Sequence, residues 1–408
     1  MNDNRLTISE LMTISDEIEP LSVKQMKLAR ERQESLAKPP KSLGLLEDIS
    51  VRMAGITGEV MSNPEKACVI VYCSDNGVVA EGVASAPASV TAAQTMNFTR
   101  RRTGVGALAE SFGDELLIVD MGVKEEIPEF FYDDSRVPFR DTHKIVDRKM
   151  RRGTWNIAKG PAMTEEEVLQ CIGTGIEMAD AAKLHGYDLI GIGEMGIGNT
   201  TTSAAIIAGL TGEKASAVTG RGGGVNDEGF QRKVEIADSA VARWRASETA
   251  EEIETGAALR LLAEAGGFDI CAMAGGFIGA AKNRLPVVID GYISAAAALV
   301  AAKIAPASAS YMFPSHRSAE PGYSIAIKAI EEIRKAYEDK EGIHHDDFYG
   351  DDFRPMLDLG MRLGEGSGCP IAFRIIRAAC HVMRNMATFD EAEINDDYLE
   401  EVRKGGCF

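Results

Sequence analysis

The chain reads as an α/β protein, a parallel sheet covered by helices on both faces, and three observations predict it. Short uninterrupted apolar runs recur at 67–73, 116–119, 189–192 and 287–289. Segments of helical length separate them, among them Thr164–Leu184, Asp227–Ala246 and Gly267–Lys282. The runs also give way to Gly, Asp, Asn and Ser, which end strands and open loops. A strand apolar on both faces must be covered on both faces, as βαβ units provide. With 408 residues the chain can bury a sizeable core, as one large domain or as a large and a small one.

In order, residues 6–60 read as charged helices broken by the run Lys38-Pro39-Pro40-Lys41-Ser42-Leu43-Gly44. Ala67–Cys73 is the first buried strand, ending in Ser74-Asp75-Asn76-Gly77; Leu116–Val119 is the second. Glu125–Arg152 is polar, aromatic and basic, an excursion from the alternating pattern. Leu189–Ile192 leads through a glycine-rich turn into a helix over Ser203–Leu210, and Val287–Ile289 closes on Asp290. Tyr337–Arg354, dense in charge, reads as a solvated loop. In such a sheet the functional loops gather at the carboxyl ends of the strands, where Asp75, Glu194 and Asp290 fall.

A formal net charge of −18 argues against nucleic-acid or anionic-membrane partners. Asp290 and Lys303 interrupt the longest apolar stretch, Ile289–Ile304, which is too short to span a bilayer. No basic-then-apolar leader opens the sequence, and its seven cysteines form no C-x-x-C pair, so they read as reduced core thiols. The expectation is a soluble cytoplasmic protein.

Chemistry concentrates in Gly193-Glu194-Met195-Gly196-Ile197-Gly198-Asn199-Thr200-Thr201-Thr202. A glycine-rich strand-to-helix turn offers free backbone N–H groups and a positive helix end, which suits a phosphate. Glu194 beside it can handle protons or a developing cation. A second cluster, Gly220-Arg221-Gly222-Gly223-Gly224, opens a helix capped by Asn226, with Lys233 about two turns in and able to reach the same anion. Gly191, Gly193 and Gly196 also spell the dinucleotide fingerprint G-x-G-x-x-G, but the acid at Glu213 closes no second apolar strand and the motif lies mid-chain. A third cluster, Leu359 to Gly368, sets Glu365 between glycines beside Leu363 and Cys369; partial burial there would raise its pKa and make it a general base. An exposed turn is the alternative. Ser315–Gly322 reads as a loop over the site or at a subunit contact. His344-His345-Asp346-Asp347 reads as a solvated turn, and no metal is assigned.

The runs Pro39–Gly44, Ser74–Val78, Gly193–Thr202, Gly220–Lys233, Pro286–Ser294, Ser315–Gly322 and Leu357–Gly368 together resemble one family, nicotinate-nucleotide–dimethylbenzimidazole phosphoribosyltransferase of the cobamide nucleotide-loop pathway. The resemblance implies a doubly wound, Rossmann-like parallel sheet in a large domain at about 61–374. It adds a small helical domain built from residues 1–60 and about 375–408, and assembly as a homodimer or as a heterodimer with a paralogue. It implies that nicotinate mononucleotide and an aromatic base give an α-ribazole-type 5′-phosphate and nicotinate, with inversion at C1′ and no cofactor. Glu365 would be the general base and Glu194 a second acid near the ribose or the leaving nicotinate. Gly196, Ile197, Gly198, Asn199, Thr200, Gly222 and Lys233 would hold the nucleotide, its phosphate above all. Asp75, Ala86, Gln94, Leu363 and Gly364 would complete the substrate contacts.

The chain departs from the family pattern at Asn76, where a histidine is usual, and at Ala86 and Ala88, where polar side chains are common. Those changes bear on which base is accepted, and a phenol such as p-cresol becomes an alternative acceptor. A nicotinamide-dinucleotide oxidoreductase and a catalytically weak subunit of a hetero-oligomer are the readings from other classes.

Overall fold

The computed structural model describes residues 6–135, 137–247, 254–344, 348 and 353–399. Its centre is a sheet of six strands: β1 (Ala67–Ser74), β2 (Glu115–Gly122), β3 (Ile145–Asp147), β4 (Leu189–Met195), β5 (Val287–Ile289) and β6 (Met312–Pro314). They lie in the order β3-β2-β1-β4-β5-β6, and every neighbouring pair is parallel. All eight residues of β1 are buried, as a central strand covered on both faces requires. The order reverses between β1 and β4. At such a switch point the loops leaving the two strands diverge and open a crevice at their carboxyl ends.

The helices follow in chain order: α1 (Ile8–Asp16), α2 (Val23–Ser35), α3 (Leu45–Thr57), α4 (Ser89–Thr99), α5 (Gly104–Phe112), α6 (Glu165–Leu184), α7 (Asn199–Thr211), α8 (Ala215–Val218), α9 (Asp227–Ala246), α10 (Glu254–Ala265), α11 (Phe268–Lys282), α12 (Tyr292–Ile304), α13 (Gly322–Lys340) and α14 (Cys369–Asn385). On one face of the sheet α11 lies between α6 and α12; on the other lie α4, α5 and α14. Local signals set several starts. Thr164 caps α6 in a capping box with Glu167, and the Asn226 side chain accepts the Gly229 N–H at the start of α9. Among the described residues no helix is long and apolar enough to cross a membrane.

The structure differs from the sequence reading in three places. β3 and β6 were not announced by apolar runs; both are three-residue edge strands, too short to show a pattern, and Pro314, though it has no N–H to give, still accepts Met356 N–H at 3.3 Å. Tyr337–Arg354 is not a solvated loop: α13 continues to Lys340, and Ile343, Phe348 and Phe353 are buried. The Arg52 and Arg334 guanidinium groups stack on the Phe353 ring at 5.5 and 4.9 Å, so aromatic burial outweighs the surrounding charge. His345, Asp346, Asp347, Asp351 and Asp352 lie outside the described residues; His344 is exposed, 3.6 Å from Asp339.

The two ends of the described chain meet. Leu36 and Thr388 form an antiparallel bridge, Ala37 N–H donates to Ala387 O at 2.9 Å, and Phe389 N–H donates to Ser35 O at 3.0 Å. Helix α14 starts at Cys369 and packs on β1, β4 and β5 as well as on α3.

Candidate active site

At the carboxyl ends of the strands lies a cavity of about 600 Å³. Its walls come from the segment entering α4, the β4–α7 turn, the glycine loop before α9, the start of α12, the stretch after β6 and the Arg362–Glu365 segment. The three glycine-rich clusters picked out in the sequence are therefore neighbours.

In the first cluster, β4 continues to Met195, which puts Glu194 on the strand rather than in the turn. Helix α7 starts at Asn199, four residues before the expected Ser203, so Asn199 and Thr200 occupy its first turn, where backbone N–H groups have no intrahelical acceptor. The second cluster approaches this end. A Cβ at Gly222 would lie 3.0 Å from Thr200 Oγ1 and 3.4 Å from Lys233 Nζ. Lys233 does not reach the cavity surface: it is fully buried, and its ammonium donates to Gly220 O at 2.7 Å and Thr200 Oγ1 at 3.0 Å. Burial pushes its pKa down to about 8, against the opposing pull of Glu320. It is one layer behind the start of α7, with Thr200 between.

Glu365 forms the opposite wall. Its φ is +64°, and Gly364 and Gly366 on either side have φ of +85° and +92°, three left-handed residues in succession. The Asp290 carboxylate holds the run in place by accepting Gly366 N–H at 3.0 Å and Gly368 N–H at 2.7 Å. A side chain at Gly193 would strike the Glu365 carbonyl, so strand β4 needs a glycine there. Both Glu365 oxygens are oriented: Gln94 Nε2 donates to Oε1 at 3.2 Å and Val105 N–H to Oε2 at 3.1 Å. Burial raises its pKa, which the bonds from Val105, Gly104 and Gln94 partly offset. Arg362, the one basic neighbour in sequence, donates instead to Gly222 O at 3.1 Å.

Between these ends sit further buried acids. Asn199 Nδ2 donates both to Glu194 Oε2, at 2.5 Å, and to Asp269 Oδ2, at 3.0 Å. Burial, then the nearby Asp269 charge, pushes Glu194 up to about 8; burial likewise pushes Asp269 to about 6 and Asp290 to about 7. Of the three, Glu194 lines the cavity, while Asp269 and Asp290 stand behind its wall.

Of the residues expected in the site, Glu194, Gly196, Ile197, Gly198, Asn199, Thr200, Gly222, Ala86, Gln94, Leu363, Gly364 and Glu365 line the cavity. Asp75 does not. Its side chain turns under the crevice and accepts Lys124 N–H at 2.8 Å, tying the β1 loop to the β2 loop. Ala88 is also outside the wall, as the residue before α4, whereas Ser85 contributes a hydroxyl to it. The dinucleotide fingerprint is not a phosphate loop: Gly191 and Gly193 lie inside β4, packed against Cys369 and the Glu365 backbone. Sequence reasoning missed Asp269, which sits near the start of a helix with no motif around it, and His316, set aside as part of an ordering loop. Only its position two residues after the unannounced β6 could have flagged His316.

Comparison with known proteins agrees with this geometry. A family model described as phosphoribosyltransferase matches residues 18–334 and 352–394. A nicotinate-nucleotide–dimethylbenzimidazole phosphoribosyltransferase of Clostridium perfringens is 45% identical over 392 residues, covering 96% of this chain and 97% of the relative. One from Acetivibrio thermocellus is 42% identical over 377 residues, covering 92% and 95%. The crystal structure of CobT from Thermus thermophilus superposes with a TM-score of 0.78 at 36% identity, covering 91% of this chain and 99% of that one. The sheet, the cavity at its switch point and these relatives together place the chain in the nicotinate-nucleotide–dimethylbenzimidazole phosphoribosyltransferase family.

Proposed function

We propose that this enzyme transfers the 5-phosphoribosyl group of nicotinate mononucleotide to an aromatic base, 5,6-dimethylbenzimidazole or a relative of it. The products are an α-ribazole-type 5′-phosphate and nicotinate. The observation that carries the reading is one cavity with a phosphate-type helix end on one wall and an oriented, buried carboxylate on the other.

The 5′-phosphate rests on the N-terminal turn of α7 and the Gly222 loop, with the Lys233 charge behind them. One ring nitrogen of the base attacks C1′ from the face opposite nicotinate. The C1′–N bond electrons return to the nicotinate ring, which leaves with an uncharged nitrogen, and the configuration inverts. Glu365 takes the N–H proton of the attacking base, so no charge is left on the product ring. Glu194, in the region of the ribose, faces the pyridinium and the oxocarbenium-like charge; a cation there favours its ionised form and opposes the effect of burial. Incubating the enzyme with nicotinate mononucleotide and a panel of aromatic bases, with nicotinate release as the readout, tests this. Turnover with no base in the panel would sink it.

A phenolic acceptor such as p-cresol is the second reading. Gln94 is committed at both ends, donating to Glu365 and accepting from Asn97 Nδ2 at 3.0 Å, and Ala86 is apolar. Glu365 and the Ser85 hydroxyl are then the polar groups left on this side for the acceptor, and a ligand with one polar atom loses little.

We also propose the homodimer and the division into a small helical domain, residues 1–60 with about 375–408, and a large domain at about 61–374. The pairing of Leu36 with Thr388 supports the division. Light-scattering mass tests the dimer, and a second homologous chain co-purifying with this one would favour the heterodimer.

A further inference from the structure

His316 lines the cavity next to Gly291, yet the proposed reaction gives it no part. Its side chain is buried at 1% exposure, and its ring is fixed at one end. Ser315 Oγ lies 2.9 Å from the backbone oxygen of Asp290 and 3.0 Å from His316 Nδ1. A hydroxyl has one proton. Asp290 O can only accept, so that proton points to it, and the Ser315 oxygen must accept from Nδ1–H. The Asp290 carboxylate, 3.9 Å from Nδ1, favours the same tautomer. Burial lowers the ring's pKa to about 4, so the ring is neutral at neutral pH. Nε2 therefore carries a lone pair and no proton. A Cβ at Gly291 would lie 3.7 Å from Nε2, so the glycine leaves that edge of the ring open toward the cavity.

A fixed lone pair there repels a phosphate or a carboxylate and welcomes an O–H. In nicotinate mononucleotide the O–H donors other than acid groups are the two ribose hydroxyls. We propose that His316 Nε2 accepts a hydrogen bond from a ribose hydroxyl of the nucleotide, making His316 a specificity determinant for ribose over deoxyribose. The inference rests on the function proposed above.

The experiment compares wild type, His316→Phe and His316→Gln with nicotinate mononucleotide and its 2′-deoxy and 3′-deoxy analogues, each with 5,6-dimethylbenzimidazole in excess. In wild type, removing the contacted hydroxyl lowers kcat/KM about 3- to 10-fold, the range of one neutral hydrogen bond. His316→Phe keeps ring bulk without an acceptor. It shows the same loss with the natural nucleotide and no further loss with that one deoxy analogue. His316→Gln, which has a carbonyl acceptor, restores part of the discrimination and serves as the informative variant if the phenylalanine protein does not fold. Losses from mutation and deoxygenation that multiply for both analogues would overturn the inference. No nicotinate release by wild type from the natural nucleotide would instead overturn the functional reading, and this one with it.

Discussion

Glu365 sits between two left-handed glycines in a left-handed conformation of its own, and that backbone aims its carboxylate at the cavity. Its Oε1 accepts from Gln94 and its Oε2 from Val105, and lone pairs remain on the carboxylate to take a proton. Glu365→Gln is expected to lower kcat by about 10²–10⁴-fold, the usual worth of a general base, while nucleotide affinity measured by calorimetry stays near wild type. Near wild-type kcat would remove it from the mechanism. Because burial raises its pKa above the ordinary 4.5 in the ligand-free enzyme, the acid limb of the kcat/KM profile should lie above that value and vanish in the variant. Lys233 lies behind Thr200, so the proposed function lets it act only through its charge. Lys233→Ala should weaken binding of nicotinate mononucleotide, whose phosphate loses a nearby positive charge, and barely change binding of the nucleoside lacking the phosphate. Equal losses for the two ligands would assign the lysine a purely structural part.

Asp290 follows β5 directly and fixes the segment that carries Glu365, so one element positions the chemistry of another. In Asp290→Asn an NH2 replaces one of the two accepting oxygens and opposes a backbone N–H. The expected cost is about 1–3 kcal/mol of stability, the penalty of a buried unpaired donor. The left-handed run loses its clamp as well, so kcat should fall although Glu365 is untouched. A melting curve and nicotinate release measured on the same sample check both. Unchanged kcat at lowered stability would show that the run holds its shape without Asp290. Strand β4 makes the complementary contribution: Gly193 lets the Glu365 backbone lie against the sheet, while Glu194, next along the strand, accepts from Asn199 Nδ2 and, at 3.4 Å, from the Glu365 N–H.

Across the whole molecule, the buried carboxyl groups make stability depend on pH. Glu194 has an ordinary value of 4.5 and a folded value of about 8, so between the two the folded protein keeps a proton that the unfolded chain has released. Its contribution is fully present below 4.5 and is lost as pH rises through about 8. Asp269 and Asp290, raised to about 6 and 7, act in the same direction. The ligand-free protein should therefore melt at falling temperature as pH rises across this window, and Glu194→Gln should melt with a flatter dependence. Parallel curves would mean that Glu194 is ionised throughout. The acceptor range also belongs to the molecule as a whole, because loops after several strands build the pocket. In a competition assay, 5,6-dimethylbenzimidazole should be preferred and p-cresol detectably used; product from the benzimidazole alone would make Ala86 a neutral packing change.

The sequence by itself determined the fold class, the four long or central strands and the three glycine-rich clusters. These depend on local patterning: apolar runs, turn residues and helix caps act within a few positions of chain. It also marked Glu365 and Glu194, because a carboxylate set among glycines is unusual wherever it folds. The tertiary structure alone decided which atoms those groups meet. Asp290 clamping Gly366 and Gly368, Asn199 shared between Glu194 and Asp269, and Lys233 lodged behind Thr200 all join residues distant in sequence or on different elements. It turned Asp75 away from the crevice and toward Lys124, and it brought in His316 from beyond a three-residue strand. Hydrogen bonding and desolvation act over a few ångströms of space, and distance in space is set by the packing of the sheet, not by position along the chain.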